Sequence, residues 1–195
     1  MRTTKKLKEL YDLVDGIDIA MFTTRRTDGH MVSRPMATQV RAPGADFWFV
    51  TSTTTPKLAE IENDPHVNLS YYRDRNREWV SVSGTARISR DRAKIRQLYK
   101  PDWKIWFPNE GKGRDGGPDD PRLTLIGVRA HSAMYMTVDK PAPLVLFELV
   151  KGLLTGKDPD IGDVKKVGSR EFTGRSRRST ARQASTARRP VRRRR

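Results

Sequence analysis

Short strand-like runs follow one another through most of this chain, separated by turn signals instead of helices, and that succession bars a parallel βαβ sheet. An apolar run at 17–24 meets the hairpin signal Asp28-Gly29, an extended run at 31–40 meets Pro43-Gly44, and a third run occupies 47–52. Residues 67–72 and 79–88 flank a polar turn, with Val80, Val82 and Gly84 on one face by period two. Residues 123–128 and 133–138 read as a closing pair of strands. The pattern predicts six or seven short strands in an antiparallel barrel, a β-dominated α+β fold with small flanking helices.

Three or four small helices are expected around it. Leu7, Leu10, Tyr11 and Val14 recur at helical spacing before Gly16. Thr55 reads as an N-cap with Pro56 in the first turn, followed by Leu58 and Ile61 and stopped by Asp64-Pro65. Residues 91–99 form a third helix, and 143–154 a fourth that offers Leu144, Phe147, Val150 and Leu154 for burial. Between them, 101–121 is a long irregular segment with Trp103, Trp106 and Phe107, and its aromatics argue for packing or function over disorder.

Charge divides the chain in two. Residues 169–195 carry eleven arginines and one glutamate, so this tail holds ten of the sixteen net positive charges. With only Phe172 and Val191 as larger apolar residues it cannot offset the entropy of ordering, and it reads as a disordered basic tail behind a single domain at 1–168. Such a tail suits salt-dependent, nonspecific contact with nucleic acid, or plain solubilisation. Cysteine is absent, which excludes disulfides and thiolate chemistry. No signal-like or membrane-spanning stretch is present, so a cytoplasmic protein with no membrane partner is expected. His30, His66 and His131 lie far apart, and no metal site is expected.

The residues that carry chemistry cluster in 32–63. Arg34 and Lys57 offer two positive charges, residues 51–55 offer hydroxyls, and the helix starting near Pro56 offers unpaired backbone N–H groups, together a fit for a phosphate-bearing cofactor. Taken singly, the threonines equally suit a capped loop and Arg34 a surface ion pair. The glycines at 111, 113, 116 and 117 lack the spacing of a phosphate loop.

With those features assembled, the chain resembles the FMN-binding split β-barrel family related to pyridoxamine 5′-phosphate oxidase, in its general stress protein 26 branch, over about residues 7–162. The resemblance rests on Ser33-Arg34-Pro35-Met36-Ala37-Thr38-Gln39, Phe47-Trp48-Phe49-Val50-Thr51, Lys57 with Ile61-Glu62-Asn63-Asp64-Pro65-His66-Val67, Trp79-Val80-Ser81-Val82-Ser83-Gly84, and Trp106-Phe107-Pro108 before Asp119-Asp120-Pro121-Arg122. It implies that Arg34 and Lys57 hold the FMN phosphate, with Thr55 and the adjoining helix N-terminus as further donors. It places Met36, Val50 and Thr51 along the ribityl chain and ring, counts Pro35 among the cofactor-binding residues, and puts Trp106 near the ring from a partner subunit of a homodimer with the cofactor at its interface.

Departures bear on the reaction. Gln39 stands where the vitamin B6 oxidases carry a second phosphate-binding lysine, Trp79 where they carry a flavin-contacting glutamine, and Met136 where this branch has a tryptophan. Nothing after Val138 matches the oxidases' substrate-binding segment, so pyridoxamine phosphate is not the expected substrate. The expectation is a flavin-dependent oxidoreductase of unassigned substrate and catalytic residues. The alternatives are the deazaflavin F420 in the same groove, or a flavin-binding stress protein without turnover.

Overall fold

The computed structural model describes residues 2–138, 142–156 and 162–172. In chain order these form α1 (Arg2–Ile17), β1 (Ile19–Arg25), β2 (Met31–Ala37), β3 (Phe47–Ser52), α2 (Pro56–Asn63), β4 (His66–Arg73), β5 (Glu78–Ser89), α3 (Arg92–Leu98), a 3-10 turn (Pro101–Ile105), β6 (Leu123–Thr137), α4 (Ala142–Thr155) and β7 (Asp163–Gly168). All strand pairs are antiparallel, in the order β2-β1-β4-β5-β6-β3 with β7 also on β6. An isolated bridge between Gln39 and Trp48, with the Gln39 amide donating to the Trp48 carbonyl at 2.7 Å, joins the two outer strands β2 and β3 and closes the barrel. The architecture is the expected β-dominated split barrel.

Period-two alternation fills its interior. Ala20 and Phe22 of β1, Phe47 and Phe49 of β3, Leu69 of β4, Val80 and Val82 of β5 and Ile126 and Val128 of β6 are all buried in one cluster, with Phe22 and Phe49 edge to face at 5.0 Å. The α1 face of Leu7, Leu10, Tyr11 and Val14 joins it, as its spacing requires. A second cluster lies on the other side of β3 and β6, where Trp48, Leu123 and Leu125 meet Ile95 and Leu98 of α3 and Trp103 and Phe107 of the following loop.

Three features differ from the sequence expectation. The closing pair of strands is one strand, β6, which runs past a register shift opposite Ser83 and Gly84. Leu144, Phe147, Val150 and Leu154 of α4 are exposed where burial was expected, and none of these four side chains joins either apolar cluster. β7 follows it, and residues 169–172 make a further helical turn that buries Phe172 in the main cluster. The packed chain thus runs four residues beyond the boundary that composition draws at Ser169. The remaining tail, 173–195, lies outside the described residues.

Phe172 is 4% exposed, so Phe172→Ala should cost about 3 kcal/mol in urea-induced unfolding followed by circular dichroism. A loss below about 1 kcal/mol would make this turn peripheral to the fold.

Candidate functional site

A polar layer covers one end of the apolar interior. Thr24 stands two residues beyond Phe22 on β1 and Thr51 two beyond Phe49 on β3, so alternation turns both hydroxyls inward. Arg34 pairs directly with Phe22 across β1 and β2 and shares its face. Its Nη1 donates to Thr24 Oγ1 at 2.7 Å and its Nη2 to Glu60 Oε1 at 2.7 Å, while Thr24 Oγ1 donates to Glu60 Oε2 at 2.5 Å. Arginine, threonine and glutamate therefore form a closed ring at the mouth of the barrel.

Lys57 enters from the first turn of α2 and donates to Thr51 Oγ1 at 2.9 Å, and Thr51 shares a further hydrogen bond with Thr55 at 3.2 Å. Thr55 occupies the N-cap position, yet its hydroxyl donates back to the Ser52 carbonyl at 3.1 Å and no side chain caps α2. The helix N-terminus is left with free donors and the positive end of its dipole, as an anion requires.

Electrostatics distinguish the two cations. Burial pushes Glu60 up, but the hydrogen bonds from Arg34 and Thr24 outweigh it and hold the carboxyl below its usual range. Lys57 is pulled below the ordinary lysine range, first by burial and then by the neighbouring Arg34, against the weaker opposite pull of Glu60. Two cations thus face one carboxylate, and one positive charge stays uncompensated. Directly across the β3–β6 ladder from Thr51 lies Thr124, wholly buried, whose hydroxyl has no hydrogen-bond partner among the described residues. The donor set, the free helix end, the surplus charge and the orphaned hydroxyl all fit a phosphate group.

The structure brings Arg34, Thr51, Thr55 and Lys57 together. Met36 is buried in the core beside them, while Pro35 points outward. Val50 alternates to the opposite side of β3 and packs on the second cluster. Gln39 is buried in the barrel closure, its Nε2 donating to the Ala37 carbonyl at 3.0 Å and its Oε1 accepting from the Trp103 indole at 3.2 Å, so its carboxamide is already engaged. Trp79 lies on the outer face of β5, in one transverse row with Tyr72, Met136 and Val164. Trp106 is 79% exposed at the end of the 3-10 turn. Thr24, Glu60 and Thr124 were not singled out from sequence, although Glu60 sits three residues after Lys57, on the same side of a helix.

The loop that carries Trp106 is pinned from beneath. Asp120 is wholly buried and accepts from the Gly116 and Arg122 amides, each at 2.8 Å, and from Arg122 Nη2 at 2.7 Å. Arg122 also donates to Glu110 Oε1 and the Pro108 carbonyl and lies 5.7 Å from the Phe107 ring centroid. Loop 101–122 is therefore a fixed platform that holds Ile105 and Trp106 outward.

Among the described residues no three histidine or acidic side chains gather as metal ligands, and no helix is long and apolar enough to cross a membrane.

Fold and site together define a split-barrel protein with two cations and several hydroxyls gathered at a helix N-terminus. The chain belongs to the pyridoxamine 5′-phosphate oxidase-like family, whose sequence model matches residues 5–160. It is 33% identical over 170 residues to protein bli-3 of Neurospora crassa, covering 86% of this chain and 81% of that one. The general stress FMN/FAD binding protein of Xanthomonas citri is 25% identical with a TM-score of 0.55, over 69% of this chain and 92% of its own. A protein described as general stress protein 26 from Jannaschia sp. CCS1 shares the fold, with a TM-score of 0.65 and 23% identity over 85% of this chain and 99% of its own.

Asp120 gives the platform a pH signature. Burial raises its pKa, but the bonds from Arg122 and the two amides prevail and set it to about 2, below the model-peptide value of 3.8. The resulting stability, about 2 kcal/mol, is complete above the unfolded value and is lost as pH falls toward 2. Asp120→Asn should cost about 3 kcal/mol at neutral pH, because it leaves Arg122 without its buried partner. The difference between wild type and variant in urea unfolding should shrink from pH 4 to pH 2; a constant difference would remove the ion pair as its cause.

Proposed function

We propose that this chain is an FMN-binding flavoprotein, a flavin-dependent oxidoreductase whose substrate is not pyridoxamine phosphate. The observation that carries the reading is the surplus positive charge of Arg34 and Lys57 beside the uncapped start of α2. Lys57 and the first-turn amides would hold the phosphate, with Thr51 and Thr55 as further hydroxyls. Glu60 would fix the Arg34 guanidinium so that its remaining N–H groups face the anion. The flavin, when bound, supplies the hydride and electron chemistry, and the barrel supplies binding and orientation. The FMN/FAD binding named for the Xanthomonas citri relative supports the same cofactor class.

A homodimer accords with the outer face of the sheet. Tyr72 and Val164, 59% and 53% exposed, end a row across four strands with Trp79 and Met136 between them, and a second copy would cover it. In such a dimer the exposed Trp106 would contact a flavin held by the partner. A cytoplasmic setting and nonspecific nucleic-acid contact by the tail complete the proposal. Flavin binding without turnover is the second reading, favoured because the carboxylate of the cradle, Glu60, is already engaged by Arg34 and Thr24 and offers no free acid or base. Photoreduction without air, followed by a screen of electron acceptors, separates the two: fast, acceptor-specific reoxidation supports the oxidoreductase.

The cofactor itself is tested by fluorescence titration with FMN, riboflavin and F420. Riboflavin, lacking the phosphate, should bind about 100-fold more weakly than FMN, the worth of one to two charge-assisted hydrogen bonds. Lys57→Met should weaken FMN at least about tenfold while raising the stability of the free protein by about 0.5–2 kcal/mol, since it removes a charge that burial and Arg34 oppose. Equal affinity for FMN and riboflavin would overturn the phosphate cradle, and tighter binding of F420 would replace the cofactor.

A further inference from the structure

On the face of β3 opposite Thr51, the outer surfaces of β3, β6 and β5 enclose a separate hollow of about 220 Å³. Its floor is rigid. Trp48 and Arg87 both pair with Gly127, one from each neighbouring strand, and a Cβ on Gly127 would come within 2.9 Å of the Trp48 ring and 3.1 Å of the Ala45 methyl. Only glycine lets the indole lie against the β6 backbone here, and the ring is anchored by its Nε1 donating to the Ala42 carbonyl at 3.0 Å. The turn at Gly44 and Ala45 closes one side.

The walls are cationic. Arg87 and Arg129 occupy a diagonal of the β5–β6 ladder, since Arg87 pairs with Gly127 and Arg129 with Thr85. Both line the hollow together with the hydroxyl residues Thr85 and Ser89, and no carboxylate lines it. Neither arginine has an ion-pair or hydrogen-bond partner among the described residues, whereas Arg34, Arg73, Arg96 and Arg122 are each tied to a carboxylate. Lys94, 5.9 Å from the centroid of the Trp48 ring, adds to the positive potential. A shallower hollow of about 470 Å³ adjoins, sharing Arg87 and Ile88 and continuing past Arg90 with Glu62 on its edge.

We infer that this hollow is a second anion site, taking the phosphate group of a small phosphate monoester whose organic body extends along the adjoining hollow. Two guanidinium forks on neighbouring strands, beside the Ser89 hydroxyl and a Thr85 hydroxyl that is shared with His131 at 3.3 Å, offer more donors than a single carboxylate accepts, and they match the three oxygens of a phosphate. The volume suits a head group and falls below the roughly 300 Å³ at which whole drug-sized ligands are held. The site is separate from the cofactor cradle, because alternation along β3 turns Trp48 and Thr51 to opposite faces. It stands whether or not flavin binds.

The test uses the full-length protein at constant ionic strength, with inorganic phosphate and AMP as probes and the four tryptophan indole N–H resonances as reporters. Both probes should move the Trp48 resonance in a saturable way, AMP at least tenfold more tightly than phosphate. Arg87→Gln with Arg129→Gln should weaken both at least tenfold; the two side chains are exposed, so the fold is retained and circular dichroism checks it. Lys57→Ala should leave the Trp48 response unchanged. An unsaturable shift, which marks diffuse screening by the arginine-rich tail, would overturn the site. So would full binding in the double variant, loss of the response in Lys57→Ala, or equal affinity for the two probes.

Discussion

Everything in this barrel hangs on the bend between β5 and β6. These are the two longest strands, and each half of their ladder serves a different neighbour: β3 pairs with the first half of β6, β7 with the second. Between the halves the register shifts, with Ser83 opposite Ser132 and Gly84 opposite Ala130, so His131 is the extra residue of a bulge. Gly84 makes the bend feasible, because a side chain there would run into the Arg129 carbonyl. One inserted residue reverses the alternation of β6. Ile126, Val128 and Ala130 face the interior before it and Ala133 and Tyr135 after it, so both halves bury their apolar side.

The same bulge explains why sequence reading divides β6 in two. Periodicity detects a strand by constant phase, and the phase of β6 breaks at His131; each half is legible while their continuity is not. Local chemistry reads better than long-range pairing throughout. The Asp28-Gly29 hairpin, the Pro56 start of α2 and the buried face of α1 are each set by residues adjacent in sequence, and the structure contains all three. Thr55 illustrates the limit: its position is legible, but its hydroxyl answers to the Ser52 carbonyl instead of the helix, a choice made by the turn that precedes it. Burial of the α4 leucines could not be judged from spacing alone, since an apolar stripe does not say which surface it meets.

The candidate site has the same division. Arg34, Thr51, Thr55 and Lys57 stand out because cations and hydroxyls around a helix start form a local pattern. Thr24, Glu60 and Thr124 come from three different elements and become neighbours of that pattern only once β1, α2 and β6 are assembled. Glu60 changes the meaning of the pattern: Arg34 is not a free cation awaiting a ligand but part of a neutralised ring. Lys57 therefore carries the unbalanced charge, which burial and the neighbouring Arg34 disfavour.

Strand β3 then separates two electrostatic problems with one alternation. Its inward residue Thr51 borders a buried cradle where charge is expensive, balanced by Glu60 down to a single surplus cation. Its outward residue Trp48 borders an open hollow lined by two exposed arginines, whose charge solvent can screen without a protein partner. In the first case low dielectric makes each charge selective and raises the penalty for an empty site; in the second, solvent keeps the empty site tolerable and affinity modest. A ligand whose phosphate must be held for the lifetime of the protein belongs in the first, and one that exchanges with its free pool belongs in the second.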